Sequence, residues 1–206
     1  MNNFAQYGDE EPFLEKFFNS KENGFLVDIG AADGVKHSAS RHLILNRKWK
    51  GILVEPHPEY FKNLEELYKN DENIKLYNNA AFIVETTLPF YIYNDGDVDS
   101  GQSSTISEQF KHRVASRYGN YYNKTVNVQT LKLSTILKDV EHIDYLSIDC
   151  EGADIDVINS NDFTKTRPTL IGVEHSMDEK ILHETMGAYE YTLIFRSSGN
   201  SFFVQK

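Results

Sequence analysis

The chain has 206 residues, of which 40% are hydrophobic and 25% charged, a composition typical of a globular protein that can bury a core. Its formal net charge of -10 repels phosphate backbones, so we expect no nucleic-acid partner. A single cysteine excludes an intrachain disulfide, and no apolar run approaches the ~20 residues of a membrane-spanning helix. Residues 1–7 lack the basic and apolar segments of a signal peptide, so we expect a cytoplasmic protein.

The first part of the chain alternates short apolar runs with amphipathic segments. Short continuous apolar runs are typical of strands buried on both faces, whereas apolar residues three and four positions apart indicate helices. The pattern predicts a helix over 9–19, a strand over 25–29, a helix over 38–48, a strand over 52–54, a helix over 58–68 and a strand over 74–82. This order indicates a parallel sheet with right-handed crossovers.

The middle of the chain departs from this alternation, and the last third returns to it. The pattern predicts a strand over 88–93, a loop over 94–104, a helix over 106–118, strands over 125–131 and 143–149, a helix over 153–159, a strand over 169–174, a helix over 177–186 and a closing hairpin of 189–195 with 201–205. We expect one α/β domain over 1–206, with a mostly parallel sheet and an antiparallel edge hairpin. The region of about 94–122 would be an insertion or lid over the ligand site.

Acidic residues lie at or just after the carboxyl ends of four of the predicted strands. They are Asp28, Glu55, Asp149 with Glu151, and Glu174. A single acid at such a place usually caps a helix or faces solvent in a turn. The carboxyl ends of parallel strands, however, lie at one edge of the sheet and form the ligand crevice of open α/β folds. The sequence therefore predicts an acid-lined ligand site at this edge.

The turn at 30–34 after the first strand consists of small residues around an aspartate, which let a ligand approach the backbone closely. The dinucleotide pattern G-x-G-x-x-G would need glycines where this chain has Ala32 and Val35. Asp28 and Asp33 flank the turn and would repel a pyrophosphate. The same charges suit a cofactor that carries a sulfonium and an ammonium group.

Glu55 is well placed to bind the ribose of such a cofactor. It follows Gly34 by 21 residues, at the end of the second strand, where a carboxylate accepts hydrogen bonds from ribose hydroxyls. Together with the acids that flank the first turn, this placement favours S-adenosylmethionine over NAD.

Several segments resemble the FkbM family of S-adenosylmethionine-dependent methyltransferases. They are VDIGAADG at 27–34, VEP at 54–56, NAA at 79–81, the serine-rich segment at 103–106 and IDYLSIDCEGAD at 143–154. The chain departs from the family where it has Asp33 in place of a common Asn and Ser147 in place of a common Lys. The resemblance implies a class I methyltransferase fold, Rossmann-like with a seven-stranded sheet, and O-methylation of a hydroxyl on a sugar, glycolipid or secondary metabolite.

The resemblance also implies a set of residues that bind S-adenosylmethionine. The set is Asp28, Gly30, Ala31, Asp33, Gly34, Glu55, Pro56, His57, Asn79 and Ala80. The glycine turn would lie under the methionine part, with Asp28 on its ammonium and Glu55 on the ribose. Asn79 and Ala80 would lie along the adenine. His57 would border the adenine or, equally, be an exposed residue between two prolines.

A hydroxyl acceptor must lose its proton, so a general base or a metal ion is expected near the cofactor. Asp149 is the first candidate, because its strand neighbours the first strand where the strand order reverses. Glu174 and His175 end the following strand, although a structural role explains His175 equally well. The three residues would also suit a divalent ion such as Mg²⁺.

Two other classes of function stay open at this point. One is a catalytically silent subunit that binds the cofactor and supports a partner enzyme, which the intact turn and acids disfavour. The other is an NAD-dependent oxidoreductase, which the missing glycines disfavour. The sequence does not identify the methyl acceptor or the oligomeric state.

Overall fold

The computed structural model describes residues 4–5, 8–94, 96, 100–175 and 179–206. Its elements are α1 (Glu10–Phe17), β1 (Phe25–Ile29), α2 (Arg41–Arg47), β2 (Lys50–Val54), α3 (Pro58–Tyr68), β3 (Ile74–Tyr77), β4 (Ala80–Ala81), β5 (Thr87–Tyr93), α4 (Glu108–Tyr118), β6 (Tyr122–Leu131), α5 (Leu133–Ile136), β7 (Tyr145–Ile148), α6 (Asp154–Asn159), β8 (Leu170–Glu174), α7 (Glu179–Ala188), β9 (Tyr191–Arg196) and β10 (Asn200–Gln205). A 3₁₀ turn spans Ser100–Ser103. The predicted features at 1–7, 94–104 and 177–186 lie partly outside the described residues.

The main sheet has seven strands in the order β3-β2-β1-β7-β8-β10-β9. The first five of these strands are parallel, whereas β10 runs antiparallel to both of its neighbours. Ile29 lies opposite Val54 on one side and Ile148 on the other, so β1, β2 and β7 end level with one another. The predicted α/β class and the seven-stranded sheet with its antiparallel edge hairpin are confirmed, and the strand order reverses between β1 and β7.

Alternate residues of the buried strands face two separate cores, one on each side of the main sheet. On β1, Val27 packs in the core that includes residues of α5, α6 and α7, and Leu26 packs in the core that includes residues of α1, α2 and α3. Both side chains are fully buried. This two-sided burial explains why the strands are short continuous apolar runs. No helix in the described part of the chain is long and apolar enough to cross a bilayer.

A second sheet, which we call the accessory sheet, has the order β4-β6-β5. The prediction of one strand over 74–82 was wrong, because this stretch supplies β3 to the main sheet and β4 to the accessory sheet. Two asparagines hold the break: Asn78 Nδ2 donates to Glu55 O at 3.3 Å, and Asn79 Nδ2 donates to Gln129 O at 3.2 Å. The accessory sheet, the 3₁₀ turn and α5 were not predicted. That 1–206 form a single domain stays a prediction.

Candidate active site

A cleft of about 790 Å³ opens at the edge of the main sheet where β1, β2 and β7 end. Its other wall includes residues of the accessory sheet and of the segment before α4. The predicted site residues that line it are Gly30, Glu55, Pro56, Asn79, Ala80 and Asp149. The structure thus brings together residues from the ends of three parallel strands, as the strand-end acids predicted.

The turn after β1 is fastened to the end of β2 by its backbone amides. Gly30 N donates to Val54 O at 2.9 Å, and Ala31 N donates to the same oxygen at 3.1 Å. Ala32 N donates to Glu55 Oε2 at 2.8 Å. Because these three amides already have acceptors, the turn does not offer them to a pyrophosphate in the way that a dinucleotide site requires.

Glu55 is a buried carboxylate whose orientation is fixed by two backbone donors. Its Oε2 accepts the bond from Ala32 N, and its Oε1 accepts from His57 N at 2.7 Å. Burial raises the pKa of Glu55 to about 7, although both backbone bonds favour the ionised form. A carboxylate has about four lone-pair sites, so Glu55 keeps acceptor capacity toward the cleft that it lines.

Asp28 lies behind the turn rather than on the cleft wall. Its side chain is 3% exposed, and burial raises its pKa to about 6, while the hydroxyls of Ser40 and Ser147 lower it. Its Oδ2 is buried and has no hydrogen-bond partner among the described residues. Ser147 therefore helps to stabilise the ionised form of Asp28 from the neighbouring strand. A role for Asp28 toward a ligand ammonium stays a prediction.

We expect the melting temperature of the cofactor-free protein to fall as the pH is raised from about 6 to about 8. Asp28 and Glu55 have raised pKa values of about 6 and 7, so the folded protein holds protons that the unfolded chain releases at lower pH. Their stabilising contribution is present at low pH and is lost as the pH rises through about 7. Each retained proton changes the free energy of unfolding by about 1.4 kcal/mol per pH unit. His57, whose pKa burial lowers, opposes this trend.

Differential scanning calorimetry at constant ionic strength tests this dependence. A change of 1 kcal/mol corresponds to about 2–4 °C for a protein of this size, so a fall of several degrees is expected. Glu55→Gln removes one of the carboxyl groups with a raised pKa and should reduce the slope. A melting temperature that rises over the same window would contradict the raised pKa values.

The other residues predicted for the first turn hold its shape. Asp33 Oδ1 accepts from the amides of Val35 and Lys36 at 2.8 and 2.9 Å. Gly34 has a φ of +73°, and a Cβ there would press on Leu64 of α3. Ala31 is buried. These three positions are described but do not line the cleft, and their roles toward a cofactor stay predictions.

His57 is buried, which excludes the alternative of an exposed residue between two prolines. Its Nδ1 accepts from Glu59 N at 3.3 Å and so caps the first turn of α3. Its ring stacks on Tyr60 with the centroids 4.5 Å apart and meets the ring of Phe90 edge-on. Tyr60 and Phe90 line the cleft directly, so His57 supports the aromatic wall from behind.

Three carboxyl groups meet where β7 and β8 end. Oxygens of Asp149, Glu151 and Glu174 all lie within 4.8 Å of one another. Burial and the charges of Glu174 and Asp154 raise the pKa of Asp149 well above its ordinary value. The spacing would also suit a shared cation, and binding of Mg²⁺ stays a prediction.

His175 is not part of this carboxyl cluster. Its Nε2 lies 3.2 Å from Ser198 O, and its Nδ1 lies 3.4 Å from Ser201 Oγ. Both ring nitrogens therefore contact the β9–β10 hairpin, which gives the histidine a structural explanation. Its catalytic role stays a prediction without support from the cleft geometry.

Sequence reasoning missed Tyr60 and Phe90 of the cleft wall. His37, near the start of the helix predicted over 38–48, was expected to face the site and does line the cleft. Glu151 was named among the strand-end acids, and Gly101, Gln102, Ser104 and Thr105 lie in the region of about 94–122 expected over the ligand site, but none of these five was given a role. The aromatic and accessory-sheet residues reach the cleft through contacts distant in sequence, for which no local pattern exists.

Comparison with known proteins places this arrangement in a family. The model of the methyltransferase FkbM domain matches residues 28–193, a range that contains every one of the strand-end acids. The chain belongs to the FkbM methyltransferase family. The match extends from the last acid of β1 through the accessory sheet to β9, so the cleft lies entirely within the family's domain.

Individual proteins resemble this chain in sequence or in fold. The FkbM-family chain is 26% identical over 162 residues to the 2-O-methyltransferase NoeI of Sinorhizobium fredii, covering 77% of this chain and 66% of the relative. A methyltransferase FkbM from Methylobacillus flagellatus has a similar fold, with a TM-score of 0.54 and 12% identity over 89% of this chain and 44% of that one. A fibrillarin pre-rRNA processing protein from Methanococcus jannaschii matches with a TM-score of 0.50 and 12% identity, covering 90% of this chain and 68% of that one. The chain thus spans just under two thirds of NoeI and less than half of the FkbM crystal structure.

Proposed function

We propose that this protein transfers the methyl group of S-adenosylmethionine to a hydroxyl group of a sugar, glycolipid or secondary metabolite. The observation that carries the proposal is Glu55, a buried carboxylate at the end of β2 that two backbone amides aim toward the cleft. In a chain of the FkbM methyltransferase family, this is the group suited to hold a ribose. A relative named as a 2-O-methyltransferase supports oxygen as the methylated atom.

The residues present fit this cofactor. The cleft combines apolar and aromatic walls with a few polar groups, as small-molecule sites do. The partnerless Oδ2 of Asp28 lies beside a turn whose neighbouring charges are acidic, which favours a cationic ligand over a phosphate. We assign Glu55 to the ribose, and Asn79 and Ala80 to the adenine beside the wall of Tyr60 and Phe90.

When bound, S-adenosylmethionine supplies a methyl group that its sulfonium already activates. The work left to the protein is to orient the acceptor oxygen, exclude water and remove a proton. We place the base in the carboxyl cluster at the ends of β7 and β8, where Asp149 is the residue that the sequence predicted, with Glu174 beside it. His175 is the weaker candidate because the hairpin contacts both of its ring nitrogens.

Two alternatives make different predictions. An NAD-dependent oxidoreductase would need free amides at the first turn, and those of Gly30, Ala31 and Ala32 already have acceptors. A silent cofactor-binding subunit would keep the cleft without turnover. A cytoplasmic location and the absence of a nucleic-acid partner remain part of the proposal, and they rest on the sequence.

The proposal is tested by binding and turnover measured on the same preparation. We expect calorimetry to show S-adenosylhomocysteine binding at one site with a micromolar dissociation constant. We also expect label from methyl-tritiated S-adenosylmethionine to pass to at least one member of a panel of methyl glycosides of hexoses and 6-deoxyhexoses, glycolipids and polyhydroxylated metabolites. Absence of binding would contradict the proposal, and binding without transfer to any member would favour the silent subunit.

A further inference from the structure

Thr105 fastens the accessory sheet to the turn that follows β7. Its backbone pairs with Tyr91 of β5 in both directions, with N···O distances of 2.8 and 3.0 Å. Its Oγ1 donates to the carbonyl oxygen of Glu151 at 2.8 Å and accepts from Ser107 N at 2.8 Å. The residue is 1% exposed and lines the cleft with its neighbours. One buried hydroxyl therefore links the two walls of the cleft.

The turn that receives this bond holds Glu151 in a backbone conformation that favours glycine. Glu151 has a φ of +51° and is followed by Gly152 at +91°. Asp154 caps the turn, because its Oδ1 accepts from Cys150 N at 2.8 Å and its Oδ2 accepts from Gly152 N at 3.2 Å. A strained non-glycine residue persists where its surroundings over-determine it, and such residues cluster at functional sites. The chain keeps a glutamate where the backbone alone would favour glycine.

The side chain of Glu151 lies between the main sheet and the accessory layer. It lines the cleft, and one of its carboxyl oxygens lies within 4.8 Å of a carboxyl oxygen of Asp149 and of one of Glu174. Burial and the charges of Asp149 and Asp154 raise the pKa of Glu151 well above its ordinary value, and Arg113 of α4, on the opposite wall, acts to lower it. Burial and the charge of Glu151 raise the pKa of Tyr122 on β6. Its charged and titratable neighbours thus come from both walls.

The position of Glu151 relative to the other acids separates their roles. The ends of β1 and β2 are assigned to the cofactor, so the acceptor must approach from the β7 side of the cleft. Asp149 N donates to Ile29 O at 2.9 Å, so Asp149 lies beside the first turn, on the cofactor side of the cleft. Glu151 lies two residues further on, and its carbonyl oxygen accepts from Thr105 of the opposite wall, where the acceptor would enter.

We propose that Glu151 is the catalytic carboxylate that removes the proton from the acceptor hydroxyl, and that Thr105 is a positioning residue that holds its backbone in place. This inference rests on the proposed function. In the step, the acceptor O–H bond breaks and its proton goes to a Glu151 oxygen, while the new O–C bond forms as the C–S bond breaks and its electron pair stays on sulfur. The proton then leaves to water.

The test uses four variants, Glu151→Gln, Asp149→Asn, Thr105→Val and Thr105→Ser, and the best acceptor of the panel above. We expect Glu151→Gln to lower kcat at least 100-fold, while the affinity for S-adenosylhomocysteine and the KM for the acceptor stay within threefold. Thr105→Val preserves the shape but loses the hydroxyl, and should lower kcat about tenfold with KM unchanged. Thr105→Ser restores the hydroxyl and should return kcat to within twofold of the unmodified protein.

The outcomes separate this inference from the proposed function. If the unmodified protein binds no S-adenosylhomocysteine or methylates no acceptor, the proposed function fails, and this inference fails with it. If it does both, the inference alone is overturned by a Glu151→Gln variant that keeps kcat within threefold or loses cofactor affinity. It is also overturned if only Asp149→Asn abolishes transfer, or if transfer requires Mg²⁺ and stops in a chelator, because Glu151 would then serve as a metal ligand.

Discussion

Replacing Gly30 by alanine is expected to destabilise the fold by about 3–5 kcal/mol, which corresponds to a fall of 10 °C or more in melting temperature. Gly30 has a φ of +90°, and a Cβ at this position would fall on the carbonyl oxygen of Asp149. That oxygen belongs to the backbone and cannot rotate away as a side chain would. The glycine therefore lets the ends of β1 and β7 approach each other, which is also what forms the cleft.

Gly96→Ala is the matched control for this substitution. Gly96 has a φ of +95°, close to that of Gly30, but nothing lies within 4 Å of the position that its Cβ would take. It therefore carries the backbone strain without the steric clash, and we expect a loss of about 1–3 kcal/mol at most. Calorimetric unfolding of both variants separates the two effects. Equal losses would show that backbone strain alone explains Gly30.

Replacing Glu55 by glutamine is expected to weaken S-adenosylhomocysteine binding by about 100-fold or more. A charge-assisted hydrogen bond to a ribose hydroxyl contributes about 1.5–3 kcal/mol, and a carboxylate can accept one from each of two hydroxyls. The amide of glutamine would also leave Ala32 N or His57 N without its acceptor, because both carboxylate oxygens accept backbone bonds. Titration calorimetry at pH 8, where Glu55 is ionised, measures the loss.

Glu59→Gln controls for the change in net charge. Glu59 lies in the first turn of α3 and is exposed, so the substitution removes the same charge a few residues away without touching the cleft wall. We expect its affinity to match that of the unmodified protein within a factor of two. If both variants bind alike and melt normally, Glu55 does not hold the ribose.

The fold was largely predictable because its signals are local. Fully buried parallel strands have continuous apolar sequences, such as the one around Val27. The helix that the amphipathic spacing predicted over 58–68 has the same bounds as α3. The strand predicted over 74–82 failed because its break depends on the partners of Asn78 and Asn79, which lie far away in sequence. Apolar pattern alone cannot show that a chain changes sheets.

The candidate site also has a part that was predictable from local sequence and a part that was not. Its acidic floor was predictable because parallel strands bring Glu55 and Asp149 to one edge whatever the details of packing. For the opposite wall only the region of about 94–122 was predicted, and not its individual contacts, since Phe90 and Thr105 reach the cleft through the pairing of β5 with β6 and the segment before α4. Asp33 was chosen for its charge, but its carboxylate serves the turn itself by binding two backbone amides.

The central claim is that the cleft at the ends of β1, β2 and β7 holds S-adenosylmethionine with its ribose on Glu55. A crystal structure with S-adenosylhomocysteine tests this most directly. We predict that both ribose hydroxyl oxygens lie within hydrogen-bond distance of the Glu55 carboxylate, with the sulfur facing the carboxyl cluster of Asp149, Glu151 and Glu174. An adenosyl group bound elsewhere, or a ribose directed away from Glu55, would contradict the account.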